Sequence, residues 1–330
     1  MRSQKNHPYR LPKSAWICGL ALICLSTLST SLPVQAGSGE TDSPALVDIQ
    51  SVIRVSTNLV TVPVSVTDAA GRAVTDLSIT DFRVQEDGRS ETISKIADAG
   101  QSPLQLALLF DVSGSLNPRF EFEQQAAIRF LEKVWAPGDT VSIITFSERA
   151  QIRLRGSQSL QEAVQTLLNL QPTEGATAFF DCVVEAARLL KESAAPETRQ
   201  AEIVLSDGED NRSDCSMADA LREMQRSDTL FYSINPGGRS IRLNEISIKG
   251  QQDLVSLAAE TGGTAFISDS TSDLDQIFGR IATELRAQYL LSYYSSNPRL
   301  NGEFRRISVS IPGRPDLRVR ARQGYYAIQK

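Results

Sequence analysis

The sequence predicts an α/β fold: a doubly wound, mostly parallel sheet inserted in a small all-β sandwich built from N- and C-terminal strands. Three observations predict it. Between about residues 104 and 285, short apolar runs alternate with segments of helical period, the pattern of a parallel sheet covered on both faces. Before and after that stretch the hydrophobic period is two and no helical pattern occurs. Each flanking set also has too few strands to close a core alone, so the two are expected to pair across the insertion as one sandwich of about five or six strands. The expected boundaries are a signal peptide over 1–36, a flexible leader over 37–54, an N-terminal sandwich segment over 55–100, the α/β domain over 101–288 and a C-terminal sandwich segment over 289–330.

Asn58 to Asp68 places Val60, Val62, Val64 and Val66 on one face, a half-buried strand. Pro63 lacks a ladder donor, which suggests an edge or a local break. Asp81–Glu86 and Thr92–Ala97 read as strands around the Asp87-Gly88 turn, a hairpin signal. Leu104 to Phe110 is almost wholly apolar, as a strand buried on both faces requires. Helices are expected over 119–134, 160–170, 178–192, 217–226, 254–261 and 274–285. Core strands are expected over 141–146, 203–205, 230–234 and 265–267. Tyr289–Tyr294 begins the closing β segment. Ile307, Val309 and Ile311, then Leu317, Val319 and Ala321, alternate with polar residues and read as a hairpin through Pro312-Gly313-Arg314-Pro315. Arg318, Arg320 and Arg322 share one strand face and read as a solvated outer face rather than a binding stripe.

Arg2, Lys5, Arg10 and Lys13 precede an apolar run from Trp16 to Leu25, too short to span a bilayer, and Val34-Gln35-Ala36 offers a cleavage site. This is a secretory signal pattern; the alternative is an uncleaved anchor. The expected location is secreted or periplasmic, with no membrane span after cleavage. The segment holds four of the 34 basic residues and none of the 39 acidic ones, so the remainder carries 30 against 39 and a net charge of −9. Nucleic acid is thereby disfavoured as a partner. The single histidine, His7, also lies in this segment. Without it no Ser-His-Asp triad, Cys-His pair or histidine metal site can be built.

The chemistry concentrates in Asp111-Val112-Ser113-Gly114-Ser115, which follows the first buried strand and precedes a helix. Ligands of open α/β sheets sit beyond the carboxyl ends of the strands, where this loop belongs. Thr177 lies before another helix, and Asp207 follows a core strand in Ser206-Asp207-Gly208. Hydroxyl and carboxylate oxygens without nitrogen or sulfur suit a hard divalent cation: Mg²⁺ first, with Mn²⁺ or Ca²⁺ as alternatives. The bland reading is that such residues are turn formers and helix caps.

Asp111, Ser113, Ser115, Thr177 and Asp207, in this order, resemble the metal-ion-dependent adhesion site (MIDAS) of von Willebrand factor A (VWA) domains, whose sheet is Rossmann-like. The resemblance implies that Ser113 and Ser115 bind the metal directly and Thr177 directly or through water. It implies that Asp111 and Asp207 act largely through water and hydrogen bonds. So neutral a shell leaves the ion short of one anionic oxygen, which a partner's Asp or Glu would supply. Asp81–Gly88, Leu205–Asn211, Glu284–Tyr289 and Arg320–Tyr326 resemble the bacterial VWFA-related acidobacterial domain family.

The resemblance implies an exported, metal-dependent protein-binding or adhesion module and not an enzyme. The alternative is a structural or assembly protein of the cell envelope whose metal site is unused; a metal-assisted hydrolase ranks third. Phe179, Phe180 and Asn211 are candidates for a partner-contacting rim, with core packing the alternative for at least one phenylalanine. If the Thr177 and Asp207 loops converge on one metal, Cys182 and Cys215 are drawn to the same end of the sheet. A Cys182–Cys215 disulfide is then expected in an oxidising compartment, against two separately buried thiols.

Overall fold

A computed structural model describes residues 59–113, 120–173, 175–194, 198–236, 245–268 and 273–328. The expected signal peptide and leader lie outside these residues, as does Ser115.

The central sheet has six strands: β5 (Leu104–Asp111), β6 (Thr140–Phe146), β7 (Ala150–Ser157), β8 (Arg199–Leu205), β9 (Thr229–Asn235) and β10 (Ala265–Ile267). Their order is β10-β9-β8-β5-β6-β7, all parallel except β7, which runs antiparallel on the β6 edge. Every residue of β8 and β9 is buried, as is all of β5 but Asp111, which explains why their sequences lack alternation. Helices α1 (Phe120–Val134), α2 (Leu160–Leu168) and α6 (Leu274–Ala287) cover one face. Helices α3 (Phe179–Glu192), α4 (Met217–Arg226) and α5 (Glu245–Thr261) cover the other. Helix α5 starts nine residues before the expected Leu254. Its first half carries Ile246 and Ile248 exposed, so no apolar stripe marks it.

Eight strands form the sandwich, more than the five or six expected. One antiparallel sheet has the order β13-β1-β11-β4, from Arg318–Ala321, Leu59–Thr67, Tyr289–Tyr294 and Ile93–Asp98. The other has the order β14-β12-β2-β3, from Gly324–Tyr326, Phe304–Ser310, Arg83–Glu86 and Arg89–Glu91. Strands from before and after the α/β domain pair directly, β1 with β11 and β2 with β12. The two sheets bury one core, in which Val62, Val64, Val84, Leu291 and Tyr293 are fully enclosed. Pro63 faces Leu290 of β11, and the pairing of β1 with β13 starts only at Val64.

Three β expectations need correction. The Asp87-Gly88 turn does close a hairpin, with φ of 47° and 79°, but its second strand is the short β3; the expected Thr92–Ala97 strand crosses into the other sheet as β4. The segment 312–315 is not a hairpin turn. Both edges of β12 are occupied, by β2 and β14, so β13 leaves to pair with β1. The arginine face is not solvated throughout. Arg322 is buried in an ion pair with Asp228 and donates to Thr61 O at 3.0 Å, and Arg320 pairs with Glu284. Only Arg318 stands free in solvent.

These arginines belong to a junction at the amino ends of the parallel strands. Arg199, first residue of β8, donates to Leu285 O at 2.6 Å, to Gln288 Oε1 at 3.2 Å and to Ala99 O at 2.7 Å. One buried guanidinium thus ties together both chain crossings between the sandwich and the α/β domain. The carboxyl ends of the strands point away from the sandwich, and the candidate site lies there, roughly 25 Å along β5 at about 3.3 Å per residue.

Candidate metal centre

Asp111 ends β5. Its Oδ1 accepts from the backbone N–H of Ser113 at 3.0 Å and from Ser113 Oγ at 2.5 Å, and its Oδ2 accepts from Ser206 Oγ at 2.8 Å. Thr177 Oγ1 donates to Ser113 Oγ at 2.9 Å. Three of the five expected residues therefore form one hydrogen-bonded chain across loops from β5 and α3. Asp207, exposed, follows β8, the strand beside β5, and its Oδ1 caps Glu209 N–H at 3.0 Å. Burial pushes the Asp111 carboxyl above its ordinary range, against the hydrogen bonds from Ser113 and Ser206 that favour the anion. Among the described residues no three His, Cys, Asp or Glu side chains gather as metal ligands, so hydroxyls must form part of any donor set here.

The supporting contacts were only partly visible in the sequence. Asn211 brackets Thr177: its Oδ1 accepts from Thr177 N–H at 2.9 Å and its own N–H donates to Thr177 O at 3.1 Å. Exposed Asn211 thus positions Thr177. Asp210 accepts from Phe179 N–H at 2.8 Å, so the amino end of α3 is capped by the loop after β8. Sequence reasoning missed Ser206 and Asp210; their signal was adjacency to Asp207 at the end of a buried strand.

Two expectations fail. Phe179 and Phe180 are 0 % and 4 % exposed and stack edge-to-face in the core under α3, with centroids 5.2 Å apart; neither rims the site. Cys182 and Cys215 carry separate thiols instead of a disulfide. Cys182 faces the sheet and is fully buried, whereas Cys215 lies against Asp181, one residue and about 100° around the helix from Cys182, and donates its backbone N–H to that carboxylate at 2.8 Å. Burial holds the Cys182 thiol well above its ordinary range, and burial with Asp181 pushes Cys215 up to about 11. Both shifts favour the protonated thiol.

The Asp207 loop also depends on two glycines. Gly208 has φ +79°, and a Cβ there would stand 2.6 Å from Gly250 O; a Cβ on Gly250 would stand 2.7 Å from Gly208 C. Replacing a mid-helix glycine by alanine ordinarily stabilises by about 1 kcal/mol. Gly250→Ala is expected to do the opposite, costing about 1–3 kcal/mol by overpacking and displacing the loop. A raised melting temperature for that variant would contradict the contact.

Residues 106–209 match the family model of the von Willebrand factor type A domain. No curated protein sequence matches the chain. Among solved structures, an aerotolerance-related membrane protein from Bacteroides fragilis aligns over 55 % of this chain and 98 % of its own, at 18 % identity and TM-score 0.43. Proximal thread matrix protein 1 of the mussel byssus, with a zinc-occupied MIDAS motif, aligns over 62 % of this chain and 50 % of its own, at 18 % identity and TM-score 0.48. The PilB minor pilin of Streptococcus sanguinis aligns over 60 % and 64 %, at 15 % identity and TM-score 0.45. The chain thus spans about half of the mussel protein. The family match runs from β5 through β8 to the Asp207 loop, about a third of the chain and the loops just described: over these residues the α/β domain matches a von Willebrand factor type A domain.

Proposed function

We propose that this is an exported, metal-dependent protein-binding module whose cation is held by Asp111, Ser113, Ser115, Thr177 and Asp207 and completed by an acidic side chain of the partner. The observation that carries this reading is the 2.9 Å separation of Ser113 Oγ and Thr177 Oγ1. Adjacent oxygens of an octahedral Mg²⁺ site, each about 2.0–2.1 Å from the ion, stand roughly 2.9 Å apart, so the two hydroxyls stand at a separation that a shared hard cation accepts. The all-oxygen donor set supports a hard divalent cation, Mg²⁺ first, with Mn²⁺ or Ca²⁺ as alternatives. When bound, the ion would supply a Lewis-acidic position for an anionic oxygen. The chain's own residues do the rest: Asp111 orients Ser113, Asn211 fixes Thr177, and Asp207 adds charge at the open side.

We infer no catalytic role. The only histidine lies in the expected signal segment, and Ser113 Oγ is engaged by Asp111 and Thr177 rather than by an imidazole or amine. Among the described residues no helix is long and apolar enough to cross a membrane. The flanking motifs support membership of the VWFA-related acidobacterial domain family.

The same contact admits a second reading, an envelope structural or assembly protein with an unused metal site. Thr177 donates to Ser113 and Ser113 to Asp111, so both hydroxyl protons are satisfied without a cation. Capture of envelope proteins on the immobilised chain separates the two. Metal-dependent binding predicts partners that are retained in Mg²⁺, released by EDTA and lost with Asp111→Ala. Partners retained equally in EDTA and by that variant would support the second reading and contradict the first.

A further inference from the structure

We propose that the cleft between α6 and the β13 edge of the sandwich binds an acidic peptide segment of a partner protein, at a site separate from the metal centre. The cleft encloses about 840 Å³, within the range of ligand sites and too large for a lone phosphate. Five cationic side chains line it: Arg72 from the turn after β1, Lys133 near the end of α1, Arg280 from α6, and Arg318 and Arg320 from β13. Two carboxylates line it as well, and both are engaged. Glu284 pairs with Arg320 and accepts from Tyr232 at 2.7 Å; Asp275 accepts from Arg129 at 2.7 Å. Arg72 in turn pairs with Asp68 at 2.7 Å. Among the described residues, Lys133, Arg280 and Arg318 then have no carboxylate partner, and all three are exposed.

Three unneutralised cations around one concavity stand out on a chain of net charge −5, where the average field repels anions. Arg280 is also held in place. Its guanidinium lies 5.3 Å from the ring centroid of half-buried Phe266, a cation–π contact that orients the fork and leaves its edge N–H groups free for a carboxylate. Phe266 and Ala287 supply apolar wall between the charges. The cations come from a turn, two helices and a strand around a groove. That distribution suits an extended chain with carboxylates at intervals better than it suits a flat membrane surface. The cleft adjoins the amino-end junction with the sandwich, so occupancy here leaves the carboxyl-end metal site open to a second contact. Two weak contacts on one partner would reinforce each other through effective concentration.

The test is fluorescence anisotropy of a fluorescein-labelled octa-glutamate peptide titrated with the full chain in EDTA, which removes any contribution of the metal centre. Binding is expected, weakening with added salt. The double variant Arg280→Gln, Arg318→Gln should bind at least about fivefold more weakly, since both residues are exposed and lack carboxylate partners. Arg83→Gln, the same charge change on an exposed site of β2, should leave binding within about twofold. Failure of the peptide to bind, or an equal loss with Arg83→Gln, overturns the proposal. So does binding of phosphatidylglycerol vesicles or single-stranded DNA with the same variant dependence while the peptide stays unbound. If the double variant melts lower than the parent, Lys133→Gln replaces it and must show the same selective loss.

Discussion

Replacing Glu202 is expected to stabilise the protein and to change how its stability depends on pH. Glu202 sits on β8 between Ala107 and Phe231, fully buried on the sheet face under α3, and neither carboxyl oxygen has a hydrogen-bond partner among the described residues. Burial without a compensating charge raises its pKa well above the ordinary 4.5, so the folded state keeps the proton. Below the ordinary value both folded and unfolded states are protonated and no penalty applies. As pH rises past it, the unfolded chain ionises and the folded one does not, so stability falls by about 1.4 kcal/mol per pH unit until the folded pKa is reached. Glu202→Gln should remove this slope, and Glu202→Leu should remove it and also the unsatisfied polar group, worth about 1–3 kcal/mol. Urea unfolding at pH 5, 6 and 7 checks it. Parallel curves for parent and Gln variant would mean that Glu202 ionises inside the fold or has a partner.

Loss of Arg199 is expected to have the opposite sign. Its guanidinium serves Leu285 O, Gln288, Ala99 O and, at 3.3 Å, Ser102 O. Arg199→Met would leave several buried acceptors unpaired, a cost of about 3–5 kcal/mol. Because these acceptors lie on both crossings between the sandwich and the α/β domain, the damage should be to coupling as well as to stability. Differential scanning calorimetry should show one transition for the parent and a broadened or split one for the variant. A loss below about 1 kcal/mol with one sharp transition would show that the crossings hold without Arg199.

The elements of the fold that were legible in the sequence were those decided locally. Strands buried on both faces announce themselves by continuous apolar runs, so β5, β6 and β9 were found within a residue or so of their ends. Strand β7 was missed: its buried Leu154 stands among exposed arginines on a sheet edge. Which sheet a strand joins is decided by what already occupies its neighbour's edges. For that reason β12 and β13 read as a hairpin and are not one. Side-chain direction was equally hidden. Loop convergence brought Cys182 and Cys215 to one end of the sheet but said nothing of where each thiol points. Four short stretches carried the narrower resemblance, and two of them supply the junction: Glu284, Arg286 and Gln288 from one, Arg320 and Arg322 from another. Arg286, for instance, pairs with buried Asp139, whose Oδ1 accepts from Leu104 N–H at 2.9 Å and so anchors the start of β5.

At the candidate site the order of Asp111, Ser113, Thr177 and Asp207 was readable because each lies just beyond a buried strand or before a helix. Ser206 and Asn211 were not assigned their roles, since a hydroxyl or amide beside a motif has no sequence mark that separates a positioning contact from a turn.

The central claim is that Ser113 and Thr177, backed by Asp111, hold a divalent cation. Its most direct test is thermal unfolding of the full chain against free Mg²⁺ and Mn²⁺, beside Ser113→Ala. A binding site predicts a melting temperature that climbs with the logarithm of free metal above Kd, about 2.7 kcal/mol of added stability at a hundredfold excess over Kd, and no climb in the variant. A melting temperature that stays flat into millimolar metal, or that climbs equally in Ser113→Ala, would contradict it.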